Sequence, residues 1–327
     1  MLRPLSTPSS PPRTPSASTL SATEVSKFSA LSTQWFADSA SSPSNPLVEM
    51  SPCRMQFVLN TLRSEELVPP GHFPLASLTA PRSSPGPARV LDVGCGGGVF
   101  LEAALRLGLP PPSLTAIEPA AALCETLAAR LERCGLADSS DPERSIEVHN
   151  GPIESYPLPP PSSLFSVISL LEVIEHVPPS SRADFIRPLL SLLRPGGVLF
   201  VSTIDRTFVN GYLRAVFGAE HIARVTPVGT HDYDWFLRPV ELLDLVEGAE
   251  GHGMELVEGC AMLPKNGLLG EIETYGLKGR GGEWVLGGEE GKTRVMGGGG
   301  GERSKLEDAT RGGWGNYICA FRKSQVS

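Results

Sequence analysis

The chain has 327 residues, 40% of them apolar and 20% charged, and carries a formal net charge of −8 at pH 7. This composition fits a soluble globular protein with a core large enough to be stable, and the acidic balance argues against a general nucleic-acid binder, which needs a basic surface. No run approaches the roughly 18 consecutive apolar residues of a membrane-spanning helix, and the six cysteines are scattered without a CxxC pair, so reduced thiols in an intracellular compartment are expected rather than a disulfide framework or a zinc site.

Residues 1–23 contain no Asp or Glu, carry Arg3 and Arg13, and are rich in Ser, Thr and Pro. A transit peptide and a plain disordered tail both fit, and the stretch is excluded from the predicted fold. Residues 24–87 read as N-terminal helices and a linker. Glu24–Phe36 has helical apolar spacing, a second helix over Arg54–Leu67 follows Pro52, and 68–88 is a Pro/Gly/Ser linker.

The α/β core is expected over 88–327. Strands are predicted at about 89–93, 113–117, 145–150, 165–170 and 197–203, with helices over 98–107 and 119–134 between the first three. Such alternation implies a parallel sheet with helices on both faces. RPGG, Arg194–Gly197, reads as a helix end and turn before the fifth strand. Residues 204–240 form an insertion that mixes bulky apolar residues with arginines. A lid over an apolar substrate, a membrane-surface helix and a plain helical cover for the sheet edge all fit it. A helix at 239–250 and a strand MELVEGCAM come next. The glycine-dominated 276–313 looks flexible or disordered, and NYICAFRK closes the sheet as a final antiparallel strand.

Two stretches carry chemistry. RVLDVGCGGGVFL, from Arg89, reads as strand, glycine turn and helix. Its glycines permit positive φ and close approach of a ligand, and the helix start offers free N–H groups. The glycine spacing alone also fits a purely structural turn. Asp92 at the strand tip suits an ammonium group and would repel a pyrophosphate. Glu118, 26 residues later at the next strand tip, suits two ribose hydroxyls without naming the ligand. The second stretch is LLEVIEHV, in which Glu172, Glu175 and His176 stand at i, i+3 and i+4. On a helical turn these face one way and suit a hard cation such as Mg²⁺; a solvated turn whose acids only shape a pocket fits the spacing as well.

The first stretch resembles motif I, D-x-G-x-G-x-G, of the class I S-adenosylmethionine-dependent methyltransferases, matched by Asp92, Gly94, Gly96 and Gly98. DVGCGGG, LLEVIEHV, RPGG with VLFVSTIDR, and GAEHIARVTPVGTHDYDWFLRPVELL together resemble the ubiquinone-biosynthesis O-methyltransferases, bacterial and mitochondrial. The resemblance implies a Rossmann-like sheet, mostly parallel with a final antiparallel strand. It implies binding of S-adenosylmethionine by Arg54, Asp92, Gly94, Gly96, Gly98, Glu118 and Leu171. It implies a Mg²⁺ held by Glu172, Glu175 and His176, with Glu172 and His176 also catalytic. The implied acceptor is a polyprenylated catechol or quinol, with 204–240 touching the membrane. The implied setting is a ubiquinone-biosynthesis complex on the matrix side of the mitochondrial inner membrane, or a plastid. Another small-molecule methyltransferase and a non-catalytic donor-binding scaffold are the competing functions. The 276–313 stretch and the proline-containing strand-3 approach, HNGPIESYPLPPP, have no counterpart in the resemblance.

Overall fold

In the computed structural model the described residues are 19–32, 36, 45–68, 75–79, 87–138, 140–222, 226–249, 251–264, 272–280, 283–287, 294–295 and 316–325. The expected leader falls largely outside them. Its last part does not: Thr19 bonds to Glu154, and Leu20 packs against the main core.

Two helices precede the sheet, α1 (Ala22–Leu31) and α2 (Asn45–Ser64). α1 and α2 both start earlier than expected, α2 with Pro52 inside it. The core then runs β1 (Val90–Val93), α3 (Val99–Arg106), β2 (Leu114–Glu118), α4 (Ala121–Arg133), β3 (Glu147–Asn150), β4 (Phe165–Leu171), α5 (Arg182–Leu192) and β5 (Leu193–Ile204). A wide, π-type helix spans Phe208–Ile222. α6 (Pro239–Glu247), β6 (Met254–Pro264) and β10 (Asn316–Lys323) complete the domain.

The strand order is β3-β2-β1-β4-β5-β10-β6 and continues through β7 (Ile272–Arg280), β8 (Glu283–Gly287) and β9 (Arg294–Val295). β1 to β5 pair in parallel, and β10 lies antiparallel between β5 and β6. The final antiparallel strand was expected. Three further strands at 272–295 were not: part of the glycine-rich stretch extends the edge, and the rest lies outside the described residues. RPGG also differs from expectation. It lies inside β5 as a bulge, where pairing jumps from Phe165↔Leu193 to Val167↔Val198. Gly196 takes φ +77 there, and the buried Arg194 donates to the carbonyls of Leu164 and Pro87.

Two cores form because strand side chains alternate between faces. Along β5, Leu199 and Val201 enter one core, with Phe185, Ile186, Leu189 and Leu190 of α5 and Leu242, Leu243 and Val246 of α6. Val198 and Phe200 enter the other, with Val58 and Leu62 of α2, Leu101 and Leu105 of α3 and Leu127 of α4. A central sheet clad on both faces presents its functional end at the carboxyl tips of the parallel strands, where the order reverses between β1 and β4.

Candidate active site

The glycine turn between β1 and α3 sits at that reversal. Gly94, Gly96 and Gly98 take φ of +67°, +53° and +82°, a region that L side chains enter only at a cost. A Cβ on Gly94 would lie 2.6 Å from Val173 Cγ2, and one on Gly98 would collide with Leu127. The N–H groups of Gly94 and Cys95 both donate to Ile117 O, at 2.8 and 3.2 Å, tying the turn to the tip of β2.

Asp92 is 3% exposed. The parallel register sets it beside Ser169 of β4, whose hydroxyl donates to Asp92 Oδ1 at 2.6 Å. Oδ2 is buried and has no hydrogen-bond partner among the described residues. Burial, with the neighbouring Glu118 charge adding, pushes this carboxyl up to about 7 against the pull of Ser169. Glu118 accepts from the N–H of Gly96 and of Ala120, each at 2.9 Å. Burial raises its pKa, and those two bonds oppose the rise. A buried acid with one orphaned oxygen, a second acid at the next strand tip and a turn that excludes Cβ atoms fit the ammonium, ribose and backbone needs of S-adenosylmethionine.

Leu171 ends β4, half-buried on the α2–α3 side. Arg54 of α2 reaches the next residue: its Nη2 donates to Glu172 Oε1 at 2.6 Å. Glu172 also accepts from Ser202 Oγ of β5 and from Asn316 Nδ2 of β10, both at 2.9 Å. It takes φ +55, an unusual conformation for a glutamate, held by partners from three elements.

That conformation explains why the expected metal set does not assemble. The i, i+3, i+4 face needs a continuous α-helix, but Glu172 is left-handed and a tight turn begins only at Ile174–His176. The three side chains therefore diverge. Glu172 meets Arg54, Glu175 accepts from Thr203 Oγ1 at 2.8 Å, and His176 Nδ1 lies 3.0 Å from Glu24 Oε2 on α1. Among the described residues no group of three or more His, Cys, Asp or Glu side chains is placed to hold a metal. Glu172, Glu175 and His176 thus do not fit Mg²⁺ as a ligand set in this arrangement. Burial, then the Glu172 charge, holds Glu175 well above the usual carboxylate range. Burial lowers His176, with the Glu24 bond opposing.

The wide helix packs against β5, and the loop behind it reaches the turn through His231. Gly211 approaches the end of β5 so closely that a Cβ would lie 2.8 Å from Asp205 O. The loop brings the His231 ring to 5.8 Å from the His176 ring. Phe208, Val209, Tyr212, Leu213, Phe217 and Ile222 face outward, Phe208 and Ile222 each 64% exposed. Ser169, Ser202, Thr203, Asn316, Glu24 and His231 are site residues that the sequence reading missed. Ser169, Ser202, Thr203 and Asn316 stood in predicted strands, but nothing in the sequence marked them as partners of the site acids.

The sheet order, the glycine turn and the two strand-tip acids define a class I S-adenosylmethionine-dependent methyltransferase. A family model described as a methyltransferase domain matches residues 72–248. A ubiquinone biosynthesis O-methyltransferase of Xanthomonas campestris pv. campestris (strain B100) is 36% identical over 70% of this chain and 80% of its own. One from Xylella fastidiosa (strain 9a5c) is 35% identical over 74% and 82%. The chain belongs to the ubiquinone biosynthesis O-methyltransferase family. Among solved structures, the plantazolicin methyltransferase BpumL in complex with SAH aligns over 93% of this chain and 97% of that one, with a TM-score of 0.49 and 13% identity.

Proposed function

We propose that this protein transfers a methyl group from S-adenosylmethionine to a phenolic oxygen of a polyprenylated catechol or quinol, the kind of step that the name shared by its relatives describes. The observation that carries the acceptor reading is the apolar outer face of Phe208–Ile222, on a helix whose Glu220 meets the His231 ring that lies 5.8 Å from that of His176. A tail that is insoluble in water needs such a face, and so does a protein that collects its substrate from a lipid surface. An acceptor of this kind would draw the protein to the matrix side of the mitochondrial inner membrane, or to a plastid membrane, in the company of the enzymes of its pathway.

The bound donor supplies an electrophilic methyl group on a sulfonium. The chain supplies the rest. Asp92 offers its open oxygen to the donor's ammonium, and Glu118, steadied by two backbone N–H groups, offers its carboxylate to the ribose. Arg54, neutralised by Glu172, forms the wall beside Leu171. A phenol with a pKa of about 10 must lose its proton to attack, and His176, its pKa lowered by burial, is the base. Holding the oxygen in line with the methyl carbon contributes roughly 7–11 kcal/mol. The side-chain pairings assign no step to Mg²⁺.

The test is calorimetric titration with S-adenosylhomocysteine, followed by methyl transfer to a short-chain polyprenyl catechol in detergent, with Mg²⁺ and with EDTA. Binding with transfer in both media is expected. Binding without transfer to any catechol would remove the acceptor. Transfer abolished by EDTA would mean that Glu172 leaves Arg54 when the site is loaded.

A further inference from the structure

One face of α4 seats the glycine turn from behind. Leu123, Leu127 and Arg130 stand at i, i+4 and i+7 along that helix and so share a stripe. Leu123 packs with Val25, Phe28, Leu31 and Phe36 of the N-terminal segment. Leu127 lies so close to Gly98 that a Cβ there would collide with it. Arg130 reaches the turn's carbonyls: its Nη1 donates to Gly97 O at 3.5 Å and to Gly98 O at 3.4 Å. Its Nη2 pairs with Glu102 in the first turn of α3. The guanidinium carbon stands 3.9 Å from the centre of the Phe36 ring. Arg130 and Glu102 are each only 15% exposed.

We propose that Arg130 is a positioning residue for the methyl donor: its guanidinium, held by Glu102 and the Phe36 ring, fixes the Gly97 and Gly98 carbonyls and so sets the glycine turn before the donor arrives. The inference rests on the reading of this turn as the donor site. Three successive glycines, Gly96 to Gly98, lose more backbone freedom on ordering than any other residues would. Ordering them in the free protein spares that loss at the moment of binding. Toward β2 the turn is held through N–H groups, Gly94 and Cys95 on Ile117 O and Gly96 on Glu118 Oε2. Gly98 N–H bonds back to Cys95 O within the turn, at 2.9 Å. The carbonyls of Gly97 and Gly98 are met from the opposite side, by α4. Such a contact suits arginine, whose fork of five N–H groups can serve a carboxylate and two carbonyls together, whereas an ammonium is a compact point charge. The ring of Phe36 attracts the cation through its face, which ties the N-terminal segment to the donor turn.

The experiment measures S-adenosylhomocysteine affinity by calorimetry, melting temperature, and hydrogen exchange in the ligand-free protein, on the full chain and on Arg130→Met and Glu102→Gln. R130M should weaken the affinity by about tenfold and speed exchange at residues 94–99. It should raise KM for S-adenosylmethionine by the same factor and keep kcat at saturating donor. E102Q removes the ionic link between α3 and α4 but leaves the carbonyl contacts, so it should lower the melting temperature and keep the wild-type affinity. Wild-type affinity in R130M overturns the inference. So does an E102Q protein as weakened as R130M, which would mean that Arg130 only joins two helices. Should R130M fail to fold, Arg130→Lys replaces it: the charge stays, the fork is lost, and an unchanged affinity overturns the inference equally. Failure of the wild type to bind S-adenosylhomocysteine would instead remove the donor site itself, and it is seen before any variant is made.

Discussion

Asp92 shows how one residue's chemistry is remade by its surroundings. Its carboxyl moves from 3.8 to about 7 because burial disfavours the charge. The native apoprotein therefore holds a proton that the unfolded chain releases, and it loses stability as pH rises through that interval. Donor binding has the opposite sign. With Asp92 in its proposed role, the donor's ammonium must expel the Asp92 proton below about 7, whereas above it the carboxylate is already charged. The affinity for S-adenosylhomocysteine is expected to fall as pH drops below about 7, by up to about tenfold per unit. Asp92→Asn should flatten that profile and weaken binding at alkaline pH by roughly tenfold or more. Calorimetry across the range checks both, and a flat wild-type profile would take Asp92 out of the donor site. Glu172 makes the complementary point. A glutamate at φ +55 persists because Arg54, Ser202 and Asn316 hold both of its oxygens; its side chain joins elements together instead of turning outward.

Among the elements, the wide helix Phe208–Ile222 departs furthest from a minimal α/β sheet. One face carries Glu220, 2% exposed and anchoring the loop at 229–231, while the other exposes a row of large apolar side chains. Each such side chain, once covered, contributes about 1.5–3 kcal/mol. The double substitution Phe208→Gln, Ile222→Gln should therefore raise KM for a long-tailed acceptor by roughly tenfold or more and leave KM for a tail-less catechol unchanged. It should also reduce co-sedimentation with phospholipid vesicles. Equal effects on both acceptors would make the helix a plain cover for the sheet edge. α1 follows the same logic at shorter length: Val25, Phe28 and Leu31 pack toward Ala120, at the start of α4, and Leu123 within it, which brings Glu24 within reach of His176.

At the scale of the whole molecule, stability is graded across the sheet. β1, β2 and β4 are buried over nearly all their length and β10 through its middle, whereas β3 is largely exposed. Local opening follows that gradient. Hydrogen exchange should be fastest in β3 and slowest in β4, β5 and β10, and S-adenosylhomocysteine should slow exchange first at residues 92–98. Uniform protection across the sheet would contradict the gradient.

The strand–turn–helix around Asp92, the parallel core and the closing antiparallel strand were all legible in the sequence. Their causes are local: glycines that alone tolerate positive φ, apolar runs of strand length, and an acid at each strand tip. Glu172, Glu175 and His176 were expected to share one face, but spacing predicts a shared face only if the backbone is helical there, and Glu172 is left-handed. Their partners come from far along the chain: Arg54 stands 118 residues from Glu172, Asn316 144 from it, and Glu24 152 from His176. Sequence spacing carries no information about such pairings. The sheet register and the docking of α1 and α2 decide them, since a buried carboxylate takes whichever donor the packing brings within hydrogen-bond distance.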